Sequence, residues 1–336
     1  MKIYHVSRIA PCVLYLCLGI SEASSSDEYL LATLLPKADE IRSVSFSPNN
    51  AFMASGNGDN TITLWDMPDG KSFKTLKGHE HKVNSVAFSP NNALIASGSS
   101  DKTLRLWNVS DGKLIKTLKG HSDRISEVAF SPNGMIIASG SSDETVRLWD
   151  VSSGKLLKEL EHGDSVYAIA LSANGSLLAS GGSGNTVKLW DIPSGKAVNT
   201  FTGHKRGITG LAFSPNSSII ASASHDKTIK LWNTSNKKLI RTLKGHKDSI
   251  SAIAFSPNGS FIVSGGWDMT VKSWNTAAGA SLQTLAGHKS PIKTVACAPN
   301  GSVIASGGWD GAIRIWRSSK SGFTELKESE KKKRDP

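Results

Sequence analysis

From residue 28 to residue 317 the chain is built of short apolar runs broken by small polar clusters, and residues 124 to 160 show the unit. Arg124 to Phe130 sets Ile125, Val128 and Phe130 among polar neighbours, as a strand does. Ser131-Pro132-Asn133-Gly134 follows. Pro presets one turn position, and Asn-Gly tolerates the positive φ that a hairpin needs. Met135 to Ser139 is short and nearly continuously apolar, as expected of a strand covered on both faces. Ser141 to Glu144 turns the chain again, and Thr145 to Asp150 alternates, with Val146 and Leu148 on one face. After Ser152-Ser153-Gly154, Lys155 to Leu160 reads as a fourth strand. It is more polar than the others and so belongs at an edge, where Lys opposes edge-to-edge pairing. The pattern predicts four antiparallel strands per unit.

The unit recurs. Trp65, Trp107, Trp149, Trp190, Trp232, Trp274 and Trp316 are spaced 42, 42, 41, 42, 42 and 42 residues apart. A fixed period of this length marks a repeat architecture. Ser55, Ser97, Ser139, Ser180, Ser222, Ser264 and Ser306 stand at one offset before each Trp. Gly78-His79, Gly120-His121, Gly203-His204, Gly245-His246 and Gly287-His288 share a second register. Asp59, Asp101, Asp143, Asp226, Asp268 and Asp310 share a third, in a turn. Repeat one has Pro36-Lys37 where Gly-His stands elsewhere. Repeat four has Gly184 in place of the turn Asp and is one residue short near Glu161-His162. These two units are expected to be less rigid, or to satisfy orphaned polar groups with water.

A Gly-His pair, a turn Asp and a Trp-Asp ending at this period resemble the WD-repeat family, over residues 28 to 317. The resemblance implies an all-β fold, a seven-bladed β-propeller with four antiparallel strands per blade. Its ring is expected to be closed by the N-terminal strand, because Tyr29 to Leu34 aligns with the fourth-strand phrase Leu114 to Lys119. Glu28 to Leu35 is then expected beside the blade of Trp316, with Phe323 to Lys327 as a rival for that place. The family also implies that the His, Ser, Asp and Trp of a complete repeat form one buried hydrogen-bonded set. Here the sets are His79, Ser97, Asp101 and Trp107; His121, Ser139, Asp143 and Trp149; His204, Ser222, Asp226 and Trp232; His246, Ser264, Asp268 and Trp274; and His288, Ser306, Asp310 and Trp316. His, Ser and Asp together also suggest a hydrolase triad. A catalytic site is not copied five times around a ring, so these residues are read as structural and no catalytic residue is assigned.

Composition changes this picture little. The chain has 336 residues, 38% hydrophobic and 20% charged, which suits one large all-β domain. The formal net charge of +11 favours acidic partners, but most of the Lys residues recur with the repeat, as in Lys116-Thr117-Leu118-Lys119. Of three Cys, Cys12 and Cys17 lie in an apolar stretch near the N-terminus. Cys297 alone cannot form an intramolecular disulfide, and it replaces the Phe of related segments (Phe130, Phe213, Phe255), so it reads as a small hydrophobe. Residues 1 to 23 read as a signal peptide, with Lys2 and Arg8, an apolar run from Ile9 to Ile20, and Ser21-Glu22-Ala23 before the cut. An exported protein, periplasmic or secreted, is therefore expected, with no stable membrane span after cleavage. If the segment is not a signal, the protein is cytoplasmic. Residues 328 to 336 read as a basic disordered tail.

In similar propellers partners lie over the face around the central channel, and two positions per repeat point there. The first set is Arg42, Asn84, Ser126, Tyr167, Thr209, Ser251 and Lys293. The second is Gly58, Ser100, Ser142, Ser183, His225, Trp267 and Trp309. Trp267 and Trp309 stand outside the repeat register, in equivalent places of adjacent repeats. With Lys293, His225, Tyr167 and Arg42 they have the composition of a binding hot spot. Gly265-Gly266-Trp267-Asp268 and Gly307-Gly308-Trp309-Asp310 are nearly identical, so a duplicated blade explains the pair equally well. The expected function is a non-catalytic interaction scaffold holding a protein or peptide, as a monomer, without cofactor or metal. Carbohydrate binding, nucleic-acid binding and an enzyme with an unrecognised site are the alternatives, and nucleic acid is disfavoured because interleaved basic and aromatic patches are absent elsewhere.

Overall fold

The structure is a computed structural model that describes residues 29–67 and 69–318. The proposed leader (1–23), the tail (328–336) and the rival strand Phe323 to Lys327 lie outside the described residues. The described chain is all β, in seven four-stranded antiparallel sheets arranged as a ring of blades. The third blade shows why the sequence folds so. Its strands are Ile125–Phe130, Ile136–Ser141, Thr145–Asp150 and Leu156–Glu161, within two residues of the expected bounds. Gly134 takes φ 70°, and its N–H closes the turn on the Ser131 carbonyl at 2.8 Å, as Asn-Gly predicts.

The ring closes through the N-terminal strand. Leu30–Leu34 pairs antiparallel with Ile313–Arg317, the third strand of the seventh blade. Leu34 is buried with Ile41 of the first blade and Ile313 of the seventh, so one side chain stitches both ends of the domain.

The core lies between blades. One cluster joins Ile62, Leu64 and Leu76 of the first blade to Val83, Val86 and Phe88 of the second, and the other clusters repeat this arrangement. The approach is close. A Cβ on Gly98 would stand 2.5 Å from the Ile125 side chain of the next blade.

The outer strands stand at the sheet edges as expected, but they expose apolar pairs such as Leu114-Ile115, Leu156-Leu157 and Leu239-Ile240 rather than a wholly polar face. Their Lys and Arg residues instead tie blades together. Lys74 donates to the Ser110 carbonyl at 2.8 Å, and Arg241 to that of Ala277 at 3.0 Å. Among the described residues no helix is long and apolar enough to cross a membrane.

Candidate functional site: the channel face

The inner strands line a central channel of about 670 Å³. All seven residues of the first set lie on its wall, from Arg42 to Lys293. Of the second set, His225 and Trp267 border the channel. Trp309 and Gly58 border a smaller depression, with Asp39, Glu40, Asp59 and Lys82. The turn N–H groups of His225, Trp267 and Trp309 bond the carbonyls of Gly207, Ser249 and Pro291, so both sets share one end of the ring.

Three of the six expected binding residues form a row. The His225 and Trp267 rings lie 5.9 Å apart at 77°, and those of Trp267 and Trp309 5.6 Å apart at 49°. Lys293 stands 5.7 Å over the Trp309 ring, a cation–π distance. Trp309 is 41% exposed, a large apolar surface left to solvent. Burial, with Lys293 and Arg206 nearby, holds His225 below the usual imidazole range, so the ring is neutral at pH 7. Tyr167 and Arg42 do not join the row. Tyr167 lines the channel wall, and Arg42 donates to Asn84 Oδ1 at 2.8 Å and pairs with Glu40 at 3.0 Å.

The repeated polar residues are internal. In the second blade Trp107 Nε1–H donates to Ser97 Oγ (2.8 Å), the Ser97 hydroxyl donates to His79 Nε2 (2.7 Å), and His79 Nδ1–H donates to Asp101 (2.7 Å). The carboxylate at Nδ1 dictates this tautomer. The second oxygen of Asp101 accepts from Thr103, so no member is left half-bonded. The sets of Asp143, Asp226, Asp268 and Asp310 repeat the geometry. These hydrogen bonds hold Asp226 down to about 2 against the opposing effect of burial.

The two irregular units show different repairs. Blade four keeps the motif's His after all. His162, 18 residues before Ser180 as His79 is before Ser97, accepts from Ser180 Oγ through Nδ1 at 2.9 Å. With Gly184 in place of Asp its Nε2 is buried without a partner, and burial lowers the ring to about 4. Blade one lacks the His altogether, and Asn57 Nδ2 donates to Thr61 and Thr63 instead, both at 3.0 Å.

Sequence reasoning missed Glu127. It occupies the inner-strand register held elsewhere by Ser43, Ser85, Ala168, Gly210, Ala252 and Thr294. At that register the side-chain oxygen accepts the next blade's backbone N–H. Ser43 accepts from Val86 and Ser85 from Val128, each at 3.1 Å, and Glu127 from Ile169 at 2.6 Å. Burial pushes its carboxyl up to about 8. An acidic residue where the other repeats carry small ones was the available signal. Cys297 is likewise desolvated, its thiol pushed up to about 12, so it is no nucleophile at neutral pH. Among the described residues no group of three His, Cys, Asp or Glu could hold a metal ion.

Comparison with known proteins agrees with the repeat geometry. The chain is 38% identical over 52 residues to nuclear distribution protein nudF 2 of Penicillium rubens, a match covering 16% of this chain and 11% of that protein. The family model for the WD domain, G-beta repeat, matches residues 28–66, 70–108, 112–150, 154–191, 195–233, 237–275 and 279–317. Each match begins with the outer strand of one blade and ends with the Trp strand of the next, so seven matches interlock into one ring. The chain therefore belongs to the WD40 family of β-propeller proteins.

Proposed function

We propose that this protein is a non-catalytic scaffold that holds a protein or peptide on the channel face, with Trp267, Trp309, Lys293 and His225 as its anchor. WD40 propellers are in general interaction scaffolds of this kind. The observation that carries the site assignment is the row of His225, Trp267 and Trp309 with Lys293 over its end. Large aromatic anchors beside a cation are the composition that dominates binding energy at interfaces. The buried hydrogen-bonded sets of blades six and seven are complete without Trp267 and Trp309.

The test is affinity capture with the protein and its Trp267→Ala, Trp309→Ala double variant, after thermal melts show both folded alike. The expected outcome is a protein partner held by the parent and lost by the variant. Capture unaffected by the two substitutions would remove the channel face as the site.

A further inference from the structure

We propose that the partner segment held on this face is acidic, and that its carboxylates are taken up by the sector of blades five to seven. This rests on the channel-face reading and specifies the chemistry of its ligand. The net charge of the chain does not imply it, because charge is unevenly placed around the ring. At the channel end of blades five to seven, Lys205, Arg206, Lys227, Lys247 and Lys289 are exposed, and Lys293 stands on the inner strand. The half-exposed carboxylate among these loops, Asp248, is already met by Lys227 at 3.6 Å. The Asp residues of the three blades are engaged with His204, His246 and His288. Lys293 has no carboxylate within ion-pair distance among the described residues. Beyond Trp309, on blade one, Asp39, Glu40 and Asp59 border the smaller depression and end the basic sector.

The same sector is short of hydrogen-bond acceptors. In blades one, two, three and seven the inner strand offers an oxygen to the next blade's N–H, through Ser43, Ser85, Glu127 and Thr294. Ala168, Gly210 and Ala252 offer none, which leaves the equivalent N–H groups of Leu211, Ile253 and Val295 without that acceptor. These three belong to blades five, six and seven. Ser251 Oγ, on the channel wall of blade six, is buried without a partner. Cations, backbone donors and an unmet hydroxyl converge where the aromatic row lies, and such a wall is complementary to carboxylates.

Single-stranded nucleic acid also carries acceptors and rings, but its bases need open ring faces for stacking. Here the rings meet at 49° and 77° rather than in parallel, and Lys293 lies over Trp309. Aliphatic or aromatic side chains of a peptide fit beside such a row where a base stack does not.

The test uses fluorescein-labelled peptides of alternating Glu and Phe, their Gln and Lys counterparts, and labelled poly-dT, read by fluorescence anisotropy against the full chain. The Glu peptide is expected to bind most tightly, to weaken steeply with salt, and to lose about tenfold in affinity with Lys293→Met. Arg206→Gln and Lys289→Gln, on exposed loops, give the same direction of change should Lys293→Met fail to fold. Preference for the Gln or Lys peptide, still lost with Trp267→Ala and Trp309→Ala, overturns the acidic assignment while the channel-face reading stands. Preference for poly-dT also overturns it. Binding of no probe, or binding indifferent to the two Trp substitutions, overturns both.

Discussion

Glu127 sits where the other blades carry Ser, Thr, Ala or Gly, and its chemistry follows from that place. Its folded pKa lies at about 8, above the ordinary 4.5, because burial disfavours the charge. The folded protein therefore holds a proton that the unfolded chain releases between pH 4.5 and 8, and stability falls as pH rises through that window. Glu127→Gln keeps an acceptor for Ile169 and has no proton to lose. Its melting temperature should match the parent's near pH 4.5 and exceed it by several degrees above pH 8. The difference between variant and parent isolates this group from the network His residues. His121, His204 and His288 are held below the ordinary 6.5, so they oppose stability as pH falls through that value.

At the scale of the element, the irregular blades separate the parts of the polar network. His121→Leu strands the Asp143 carboxylate and the Ser139 hydroxyl, and should cost ~3 kcal/mol in denaturant titration. His162→Leu removes one bond from Ser180 together with an unmet ring nitrogen, and should cost ~1 kcal/mol or less. Equal costs would mean that the His–Asp bond contributes nothing. The closing strand is the second element with a distinct role. Leu34→Asp places a charge between Ile41 and Ile313 and frees the strand Ile313–Arg317 for pairing with other chains. A loss of ~3 kcal/mol or more is expected, with higher oligomers on size exclusion. A variant that stays monomeric with an unchanged melt would show that the ring does not depend on this seam.

Across the whole molecule, identical blades produce an asymmetric face. Among the departures from the repeat, those toward the channel include Trp267 and Trp309, the exposed cations of blades five to seven, and Ala168, Gly210 and Ala252 on the inner strands. The period of the Trp residues, the Asn-Gly turns and the His-Ser-Asp register determined the fold from the sequence alone. They are local signals, and each is confirmed by its copies. Channel-facing positions were legible for the same reason, since one register point serves all seven inner strands. The contact of Trp267 with Trp309 and the place of Lys293 over the second ring were decided by tertiary structure. The first depends on the angle between neighbouring blades, which no single repeat encodes, and the second on how the inner strand and the following turn of blade seven pack in one sheet. His162 keeps the 18-residue offset to Ser180 that His79 has to Ser97, and that its Nδ1 rather than Nε2 meets the hydroxyl was decided by the packed blade. The desolvation of Glu127 arises only when the blades surround it, because a strand written in isolation leaves that carboxyl in water.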